Sequence, residues 1–512
     1  MQRLMQHAIK IHVDDHVAIA ISDIPQGALV TVAGSVIEAR QFIPRLHKMA
    51  ICNLMIDGTV CKYGQAIGRA TQPIVAGDHV HSHNLAISDF EKDYGFCREA
   101  RPTDLISAES RRYFQGYDRG VLGVGTRNYV GVLTSVNCSA TVASAIASEA
   151  NTFLNTSQIT DVNGVVALSH SSGCGMQGDD EGFTTLQRTL EGYARHPNFA
   201  GVLLVGLGCE TLQLERLMEE TGLSHDARFH TMVIQRQGGT RATITAGVSI
   251  VKAMLEQASM AKRSPQPLSA LSLAVQCGGS DALSGLTANP ALGVAGDWLI
   301  RHGGTVIYSE TPEIYGSEHL LTRRAASPDI AEALLERIRW WEDYTAANGI
   351  VLDANPSPGN KAGGLTTILE KSLGAQAKSG STNLNGVYRY GQRVDRAGLV
   401  FMDSPGYDPV SVTGQVASGA NLIGFTTGRG SAFGFKPVPS IKLASNNALF
   451  DSMREDMDIN CGDIVSGACS VSDKGAEIFE RLIDFASGEL TASERLGYGD
   501  CEFNPWKIGA TL

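Results

Sequence analysis

Short apolar runs separated by turn residues fill the first part of the chain. Residues 1–88 contain the runs IKIHV, VAIAI, ALVTVAG and KMAIC, followed by closely spaced glycines. Runs this short, without a helical period, are typical of β-strands joined by tight turns. The pattern therefore predicts a small all-β domain over residues 1–88.

The next segment, residues 89–112, is polar and charged with a single proline, and we interpret it as a linker or an exposed excursion. From residue 113 onward, apolar runs, glycine-containing turns and helical stretches alternate, as in VGVLTSV before TVASAIASEANTF and GVLLVGL before TLQLERLMEETG. This alternation predicts βαβ units, with largely parallel sheets and right-handed crossovers. Residues 113–262 are the first predicted α/β domain.

A second α/β domain is predicted over residues 263–512. The two prolines of MAKRSPQPLSA interrupt the rhythm at residues 260–270, so the new unit should begin near Leu271. Further strands are expected at TVIYSE (305–310), GLVFMDSP (398–405) and ANLIGFTTGRG (420–430). A long helix should lie between the first two, because Ser327-Pro328-Asp329 favours a helix start and Gly349 a helix end.

Four cysteines stand where predicted strands stop: Cys138, Cys174, Cys209 and Cys277. If these strands are parallel members of one sheet, their carboxyl ends share one edge, which is where open α/β sheets place ligands. Converging thiolates select iron, zinc or clusters, so a metal or iron–sulfur site is one hypothesis. The other is ordinary packing, since free cysteine often behaves as a small buried hydrophobe. Because no CxxC occurs, zinc-ribbon and thioredoxin interpretations have no support.

Composition narrows the functional classes. Hydrophobic residues make up 43% and charged residues 19% of the 512, as in ordinary globular proteins of several domains. A net charge of −11 without long basic runs argues against nucleic acid and anionic membranes as partners. The N-terminus lacks the apolar run of a signal peptide, and no stretch of eighteen apolar residues occurs, so a cytoplasmic protein with reduced cysteines is expected.

Histidines alternate in the segment GDHVHSHN. Residues two apart face the same side of a β-strand, so His79, His81 and His83 would line one face, with His47 in the same domain. Three aligned imidazoles suit a metal ion or a substrate carboxylate. The alternative is a solvated, histidine-rich edge.

Two polar, glycine-rich segments are candidate ligand loops. QCGGSDALSGLTANP carries Ser280 and Asp281 after a predicted strand, and NPSPGNKAGGLTTILEKSLG carries Asn360 and Lys361. Glycines free backbone N–H groups to meet an anion. Neither segment is a Walker A or a G-x-G-x-x-G motif.

Charged residues at other strand ends add to this set. Arg429 lies between two glycines in TTGRG, where its guanidinium could bind a carboxylate bidentately or cap carbonyls. Glu310 and Asp403 also end predicted strands, and a carboxylate there could serve as a base or a metal ligand.

The motifs that carry a resemblance to a known family are FQGYDRGVLGVGTRN, HSSGCG, GLGCE, CGGSDALSGLTANP, NPSPGNKAGGLTTILEKSLG and TTGRG. Through them the chain resembles the altronate dehydratase and galactarate dehydratase family of sugar-acid hydro-lyases. The resemblance runs from about residue 10 to the C-terminus. RLHKMAI, KYGQAIGRAT and GDHVHSHN resemble the family's N-terminal SAF-type β-clip domain. The resemblance implies a lyase that depends on Fe2+, with Mn2+ or an iron–sulfur cluster as alternatives, and that forms a 2-keto-3-deoxy acid from a hexonate or hexarate.

The residue patterns and the resemblance together give a set of expected site residues, of which His79, Cys138 and Glu310 rest on the patterns alone. The expected catalytic residues are His47, His170, Glu310 and Lys371. The expected substrate-binding residues are Arg127, Asn128, Ser280, Asp281, Asn360, Lys361 and Arg429. The expected metal ligands are His79, His81, His83, Cys138, Cys174, Cys209 and Cys277.

The expected reaction is a metal-assisted β-elimination. The metal would chelate the C1 carboxylate and C2 hydroxyl, a base would take the C2 proton, and an acid would protonate the leaving C3 hydroxyl. A related sulfolactate sulfo-lyase branch of the family expels sulfite by the same elimination chemistry. A sulfo-lyase is therefore the first alternative function. A non-catalytic sugar-acid sensor is the second. The substrate's stereochemistry and the oligomeric state, including a homo-oligomer, are left open by the sequence.

Overall fold

The computed structural model of the protein describes residues 7–88 and 92–511. The N-terminal region consists of short strands, and its described residues contain no α-helix. The strands are β1 (Ala8–Ile9), β2 (Val17–Ala20), β3 (Leu29–Val32), β4 (Ser35–Glu38), β5 (Lys48–Ala50), β6 (Thr59–Lys62), β7 (Gln65–Ala70), β8 (His79–Val80) and β9 (Leu85–Ala86).

These strands pair in antiparallel fashion into small sheets, in the orders β1-β2-β5-β8, β3-β4 and β6-β7-β9. Two hairpins turn on two residues each, Ala33-Gly34 and Tyr63-Gly64, and all four residues have positive φ. Such turns match the twist of the flanking strands, which explains why short runs suffice to form hairpins. The predicted all-β N-terminal domain is confirmed.

The second region has a parallel sheet at its centre. Its elements are β10 (Tyr113–Asp118), β11 (Val124–Gly125), β12 (Tyr129–Thr134), α1 (Ala140–Thr156), β13 (Gly164–Leu168), α2 (Glu181–Ala194), β14 (Phe199–Gly206), α3 (Leu214–Thr221), β15 (Phe229–Val233), α4 (Thr240–Ser259) and β16 (Ser264–Pro267). The four-stranded sheet has the order β13-β12-β14-β15, all parallel. Alternate residues of β14 face opposite cores, Leu203 towards α1 and α4 and Leu204 towards α2.

The C-terminal region contains a larger parallel sheet. Its elements are β17 (Ser272–Cys277), α5 (Ala288–Arg301), β18 (Thr305–Ser309), α6 (Thr311–Ile314), α7 (His319–Thr322), α8 (Pro328–Ala347), α9 (Pro358–Ala362), α10 (Ile368–Gln376), β19 (Leu384–Tyr388), β20 (Gly398–Met402), α11 (Asp408–Ala417), β21 (Leu422–Thr427), β22 (Ser440–Ala444), α12 (Asn447–Ser452), β23 (Ile459–Asn460), α13 (Val471–Ala486) and α14 (Ala492–Arg495). The seven-stranded sheet has the order β19-β20-β18-β17-β21-β22-β23, all parallel. The predicted α/β regions and the long helix α8 are confirmed.

From residue 92 onward, the predicted linker packs against the C-terminal region. Residues 89–91 lie outside the described part of the chain. Beyond them, Lys92 Nζ lies 2.6 Å from Glu318 Oε1. The main-chain N–H of Glu99 donates to the carbonyl of Arg323 at 2.8 Å. This part of the segment is therefore attached to α7 and its end rather than being a free excursion.

A buried charge cluster joins the N-terminal domain to α10. Lys48 Nζ and Lys62 Nζ lie 2.8 and 2.7 Å from the two carboxylate oxygens of Glu370, and all three side chains are fully buried. Burial alone would raise the pKa of Glu370, but the two ammonium groups hold it well below its usual range. We call these three residues the lysine clamp. It fixes the position of the N-terminal domain on the C-terminal region.

Within residues 7–88 and 92–511, no helix has the length and apolar character needed to cross a bilayer.

Candidate functional site

Polar residues follow neighbouring strands at the carboxyl edge of the seven-stranded sheet. Ser280 and Asp281 come after β17, Glu310 after β18 and Arg429 after β21, and these three strands are adjacent. Because the strands are parallel, all of these residues lie at one edge. The structure thus brings together residues that are separated by about 150 positions in the chain.

Asp281 organises the turn that follows β17. Its Oδ1 accepts hydrogen bonds from Ser284 N and Oγ, at 2.8 and 2.9 Å, and from Ser445 Oγ at 3.0 Å. Its Oδ2 accepts from Asn446 Nδ2 at 3.1 Å. Burial raises the pKa of Asp281, while these bonds oppose the shift. The predicted substrate-binding role of Asp281 is therefore corrected to a positioning role, because its carboxylate is buried and engaged by protein donors.

A second loop connects this turn to the N-terminal domain. Asn360 forms a reciprocal cap with Ser357 at the start of α9 and donates from Nδ2 to the carbonyl of Ser280 at 3.0 Å. Gly364, at φ +91°, lies so close to the N-terminal domain that a Cβ there would be 2.1 Å from the Leu46 carbonyl oxygen. Only glycine allows this approach. The loop therefore holds the sheet edge and the histidine-bearing domain together.

Four imidazoles gather where the N-terminal domain meets this loop. Ring centroids of His79 lie 5.0, 5.7 and 5.2 Å from those of His47, His81 and His83. His81 Nε2 lies 2.9 Å from the carbonyl oxygen of Lys361. We call these four residues the histidine cluster. It is not the continuous strand that the alternation predicted, because β8 ends at Val80 and residues 81–84 form a turn.

Three imidazoles of the histidine cluster, those of His47, His79 and His81, are held in the neutral form. Burial, together with neighbouring positive charge, lowers the pKa of His79 to about 3, and burial lowers that of His81 to about 4. Burial also lowers the pKa of His47. Neutral imidazole is the form that binds a metal or accepts a proton.

Imidazole donors suit a divalent iron ion. With metal–nitrogen distances of about 2.1 Å, imidazoles sharing one ion have centroids about 5 Å apart, close to the separations observed here. Across residues 7–88 and 92–511, however, no three His, Cys, Asp or Glu side chains are already arranged to hold a metal. His47 Nδ1 and His79 Nε2 instead approach each other at 2.9 Å. The donor chemistry fits the ion, and the ring orientations would have to adjust.

A cluster of buried charged residues lies under the same sheet edge, and the sequence alone did not predict it. Lys378 Nζ lies 2.9 Å from Cys277 Sγ and 2.5 Å from Glu313 Oε2, and Cys277 Sγ is 2.9 Å from Glu313 Oε1. Despite burial, Lys378 lowers the pKa of Glu313, whereas burial and Glu313 raise the pKa of Glu310 well above its usual range. We call Cys277, Glu310, Glu313, Lys378 and Asp408 the buried charge group.

Asp408 is the least buried carboxylate of this group. It begins α11, and a Cβ on Gly278 would lie 2.6 Å from its Oδ2, so it sits beneath the turn after β17. Burial, with the nearby charge of Glu313, raises the pKa of Asp408 to about 6. Glu310 has the left-handed φ of +72°, an uncommon conformation that clusters at functional sites. Two carboxyl groups with raised pKa values make this edge suited to acid catalysis.

The remaining predicted residues of the edge are near this group. Lys371 Nζ donates to Asn355 Oδ1 and contributes positive charge to Glu310, Glu313 and Asp408. The Ser280 hydroxyl is buried without a hydrogen-bond partner. Neither the guanidinium of Arg429 nor the ammonium of Lys361 contacts a partner among the described residues. Asp403 accepts from Thr311 Oγ1 and Trp341 Nε1 and is structural.

The four cysteines do not share one edge. Cys138, Cys174 and Cys209 follow β12, β13 and β14 of the four-stranded sheet and are exposed, while Cys277 ends β17 of the other sheet and is buried. The prediction of a common four-cysteine site is therefore wrong. The correction follows from topology, because the strands belong to two separate sheets.

His170 has a structural role rather than the predicted catalytic one. Its Nε2 lies 2.9 Å from the carbonyl oxygen of Thr134, and its Nδ1 accepts from the N–H of Ser172 at 3.1 Å. Burial lowers its pKa to about 4. Since both ring nitrogens bind main chain, His170 fixes the loop that carries Cys174.

Arg127 and Asn128 are also structural. Arg127 is fully buried, with Nε and Nη2 on the two carboxylate oxygens of Glu494 and further bonds to main-chain carbonyls. The Nδ2 of Asn128 donates to the carbonyls of Asp161 and Ala258. Both precede β12 and so lie at the amino end of its sheet. Their predicted substrate contacts are wrong because every polar group is already engaged.

Glu313, Lys378 and Asp408 are site residues that the sequence interpretation missed. Asp408 stands before a proline at a helix start, a signal for a helix N-terminus and not for chemistry. Glu313 follows Glu310 by three positions, which places both beside the end of β18. Lys378 had no local signal, since its partners come from distant parts of the chain.

Comparison with known families divides the chain into three matching parts. Residues 6–88 match the altronate/galactarate dehydratase SAF domain. Residues 116–259 match the D-galactarate dehydratase/altronate hydrolase second domain. Residues 268–511 match the D-galactarate/altronate dehydratase C-terminal domain.

Individual relatives extend over nearly the whole chain. An altronate dehydratase of Escherichia coli is 36% identical over 98% of this chain and 99% of its own length. The galactarate dehydratase (L-threo-forming) of the same organism is 35% identical over 97% of this chain and 96% of its own. The (2R)-sulfolactate sulfo-lyase of Chromohalobacter salexigens matches as two subunits: beta, 32% identical over 76% of this chain, and alpha, 50% identical over 9%.

Proposed function

The chain belongs to the D-galactarate/altronate dehydratase family and is a hydro-lyase that dehydrates a sugar acid, and we propose that its substrate is a six-carbon monocarboxylate of the altronate type. The observation that carries this proposal is the junction of the histidine cluster with the carboxyl edge of the seven-stranded sheet. His81 meets the Lys361 carbonyl, and the neighbouring Asn360 meets Ser280. Acid, base and carboxylate-binding groups thus converge from two domains.

The choice of a monocarboxylate rests on the cations at this junction. Arg429 carries a guanidinium that no described residue engages, and such a fork binds one carboxylate bidentately. Lys361 supplies a compact charge suited to a hydroxyl or to a weaker second contact. A hexarate would need a second carboxylate clamp, so galactarate is the less favoured substrate.

The chain's own residues can perform a β-elimination. Arg429 would orient the C1 carboxylate, and His47, which burial holds in the neutral form, would take the C2 proton. Asp408, whose raised pKa favours the acid form, would protonate the C3 hydroxyl as the C3–O bond breaks. Water leaves, and the enol tautomerises to the 2-keto-3-deoxy acid.

We propose that Fe2+, with Mn2+ as a substitute, is held by His79, His81 and His83. When bound, the ion would supply Lewis acidity that lowers the cost of removing the C2 proton. Iron content of protein purified and reconstituted without oxygen should fall at least fivefold on changing His79 and His81 to alanine. Unchanged iron content would contradict this assignment.

An iron–sulfur cluster at Cys138, Cys174 and Cys209 is the alternative to histidine-bound iron. Their loops touch, since the N–H of Asn137 donates to the Ser172 carbonyl and that of Thr211 to the Gly173 carbonyl. Changing all three to serine should leave the iron content unchanged if the histidines bind it. Loss of iron together with a charge-transfer absorption near 400 nm would instead assign a cluster.

Sulfite release from sulfolactate is the second candidate function, supported by the match to both sulfo-lyase subunits. Iron-reconstituted protein should be assayed with altronate, galactarate and sulfolactate, with detection of 2-keto-3-deoxy acid and of sulfite. We expect the keto acid from altronate at a kcat/KM at least tenfold above that for galactarate. Sulfite as the main product would reject the proposed substrate, and higher turnover of galactarate would reject the monocarboxylate choice.

We further propose a cytoplasmic location, which the metabolic substrates named for the relatives favour, and a homo-oligomeric state. Cell fractionation and light scattering on the purified protein would test them.

A further inference from the structure

A cleft of about 460 Å³ lies between the second and C-terminal regions, away from the proposed active site. Its lining includes Ser272 and Thr305, the first residues of β17 and β18, and Pro197, which precedes β14. The cleft therefore opens at the amino ends of both parallel sheets. β17 is six residues long, so its two ends are separated by about 16 Å at roughly 3.3 Å per residue.

Three arginines line this cleft against one carboxylate: Arg188, Arg195 and Arg393 against Glu191. Arg195 is engaged, because its Nε lies 3.1 Å from Glu191 Oε1 and its Nη2 donates to the Thr221 carbonyl at 2.7 Å. The other two have no ion pair among the described residues. The cleft thus carries two guanidinium groups without a contacting carboxylate among the described residues, although the more distant Glu181 and Asp403 offset part of the charge of Arg188.

Arg188 is the more informative of these two. Its Nη2 donates to Thr185 Oγ1 at 3.1 Å, but its Nε is buried without a hydrogen-bond partner. Burial lowers the pKa of Arg188, and the positive charge of Arg389 lowers it further. A buried donor left unpaired costs about 1–3 kcal/mol, which a bound anion would offset.

We infer that this cleft binds a small organic anion bearing carboxylate or phosphate groups, held by Arg188 and Arg393. Guanidinium groups pair bidentately with both kinds of oxyanion. The volume lies within the usual range of about 300–1,000 Å³ for small-molecule sites. Gln392, whose Oε1 accepts from the N–H of Arg389, adds an amide donor at the rim. The inference is independent of the proposed substrate.

The position of the cleft makes its ligand an effector rather than a substrate. Helix α11 begins at Asp408, under the catalytic edge, and ends at Ala417, which lines the cleft together with Ser418 and Gly419. Gly192 of α2 packs directly on this end, since a Cβ there would lie 2.2 Å from the Ala417 carbonyl oxygen. An anion drawing Arg188 of α2 towards it would act on both helices.

Calorimetric titration of the full-length protein with citrate and, separately, with fructose 1,6-bisphosphate tests the site and distinguishes the two anion classes. We expect one of them to bind, and Arg393→Gln and Arg188→Gln each to weaken it at least tenfold. Arg396→Gln, in the same loop as Arg393 but not lining the cleft, is the matched control and should bind normally. Because Arg393 is exposed, its variant should fold even where the Arg188 variant does not.

Binding should persist in Arg429→Gln, which alters the catalytic edge. Failure of both probes to bind, equal affinity in the Arg393 variant, or loss of binding in Arg429→Gln would each overturn the inference. A change in the Michaelis constant for the sugar acid on adding the bound probe, absent in Arg393→Gln, would support an effector role. No change in kinetics would reject that role.

Discussion

The two parallel sheets of this protein present opposite chemistry at equivalent edges. The four-stranded sheet ends in three exposed thiols and the neutral, fully hydrogen-bonded His170. The seven-stranded sheet ends in the buried charge group and meets the histidine cluster across a loop. Polar residues therefore follow the strands of both sheets. The edge where catalysis is proposed differs in that its charged residues are buried and that the N-terminal domain contacts it.

The largest expected effect concerns turnover at the two edges. Asp408→Asn should lower kcat at least 100-fold, because removing a general acid costs about 10²–10⁴ in rate. Glu210→Gln changes a carboxylate at the other edge, where Glu210 accepts from Ser135 Oγ at 2.7 Å, and should leave kcat within threefold. Steady-state assays with the preferred sugar acid measure both. Equal losses would mean that the two edges form one site.

A second contrast concerns stability. Glu313→Gln leaves the fully buried Lys378 without its counter-charge, which should lower the free energy of unfolding by about 3–5 kcal/mol. Glu215→Gln breaks an exposed pair with Arg236 beside the other sheet and should cost less than about 1 kcal/mol. Urea midpoints compare the two variants. Similar urea midpoints for the two variants would show that the buried charge group does not stabilise the fold.

The two edges should also respond to pH in opposite directions. The pKa of His170 falls to about 4 in the folded state, so the unfolded chain binds more protons and stability rises with pH between about 4 and 6.5. The pKa of Asp408 rises to about 6, so the folded state binds more protons and this group's stability is lost as pH rises from about 4 to 6.

Urea unfolding at several pH values isolates these contributions. His170→Gln should flatten the rise of stability with pH, and Asp408→Asn should make it steeper, each by on the order of 1–2 kcal/mol over this window. If both variants shift the slope in the same direction, the assignment of opposite protonation responses is wrong.

The smallest effect concerns the thiols. Cys138, Cys174 and Cys209 are exposed and should react with an aromatic disulfide reagent within minutes in the folded protein, while burial raises the pKa of Cys277 to about 12 and should protect it. Mass mapping of the labelled cysteines measures the difference. Cys138→Ser should change the free energy of unfolding by less than about 0.5 kcal/mol. Labelling of Cys277 at the same rate would contradict the comparison.

The sequence predicted elements well where a local pattern determines them. Apolar runs bounded by turn residues became strands such as β20 and β21, and the cap at Ser327 became the start of α8. Sheet membership is not local, which is why Cys277 was grouped with cysteines of another sheet. The same limit applies to Arg127, since nothing near it in sequence announces its partner Glu494.

The candidate site divides along the same line. Ser280 and Arg429 lie in glycine-rich loops and Asn360 in the short helix α9, and the position of these segments after or between strands could be inferred from composition. The roles within the site could not be inferred, because the partners of Asp281 and Cys277 come from segments up to 165 residues away. Clusters of charged residues form through tertiary packing, and the order of residues along the chain does not reveal that packing.

The lysine clamp has a consequence for how such an enzyme can be divided between genes. Its two ammonium groups lie on one side of the predicted linker, and Glu370, the carboxylate that they share, lies on the other. The contact between the two parts is therefore electrostatic and independent of the peptide that connects them. Two separately translated polypeptides could meet at this joint and bury the same three charges. The N-terminal domain, alone, would leave two lysines without a partner, which makes it an obligate subunit of its complement rather than a free-standing module.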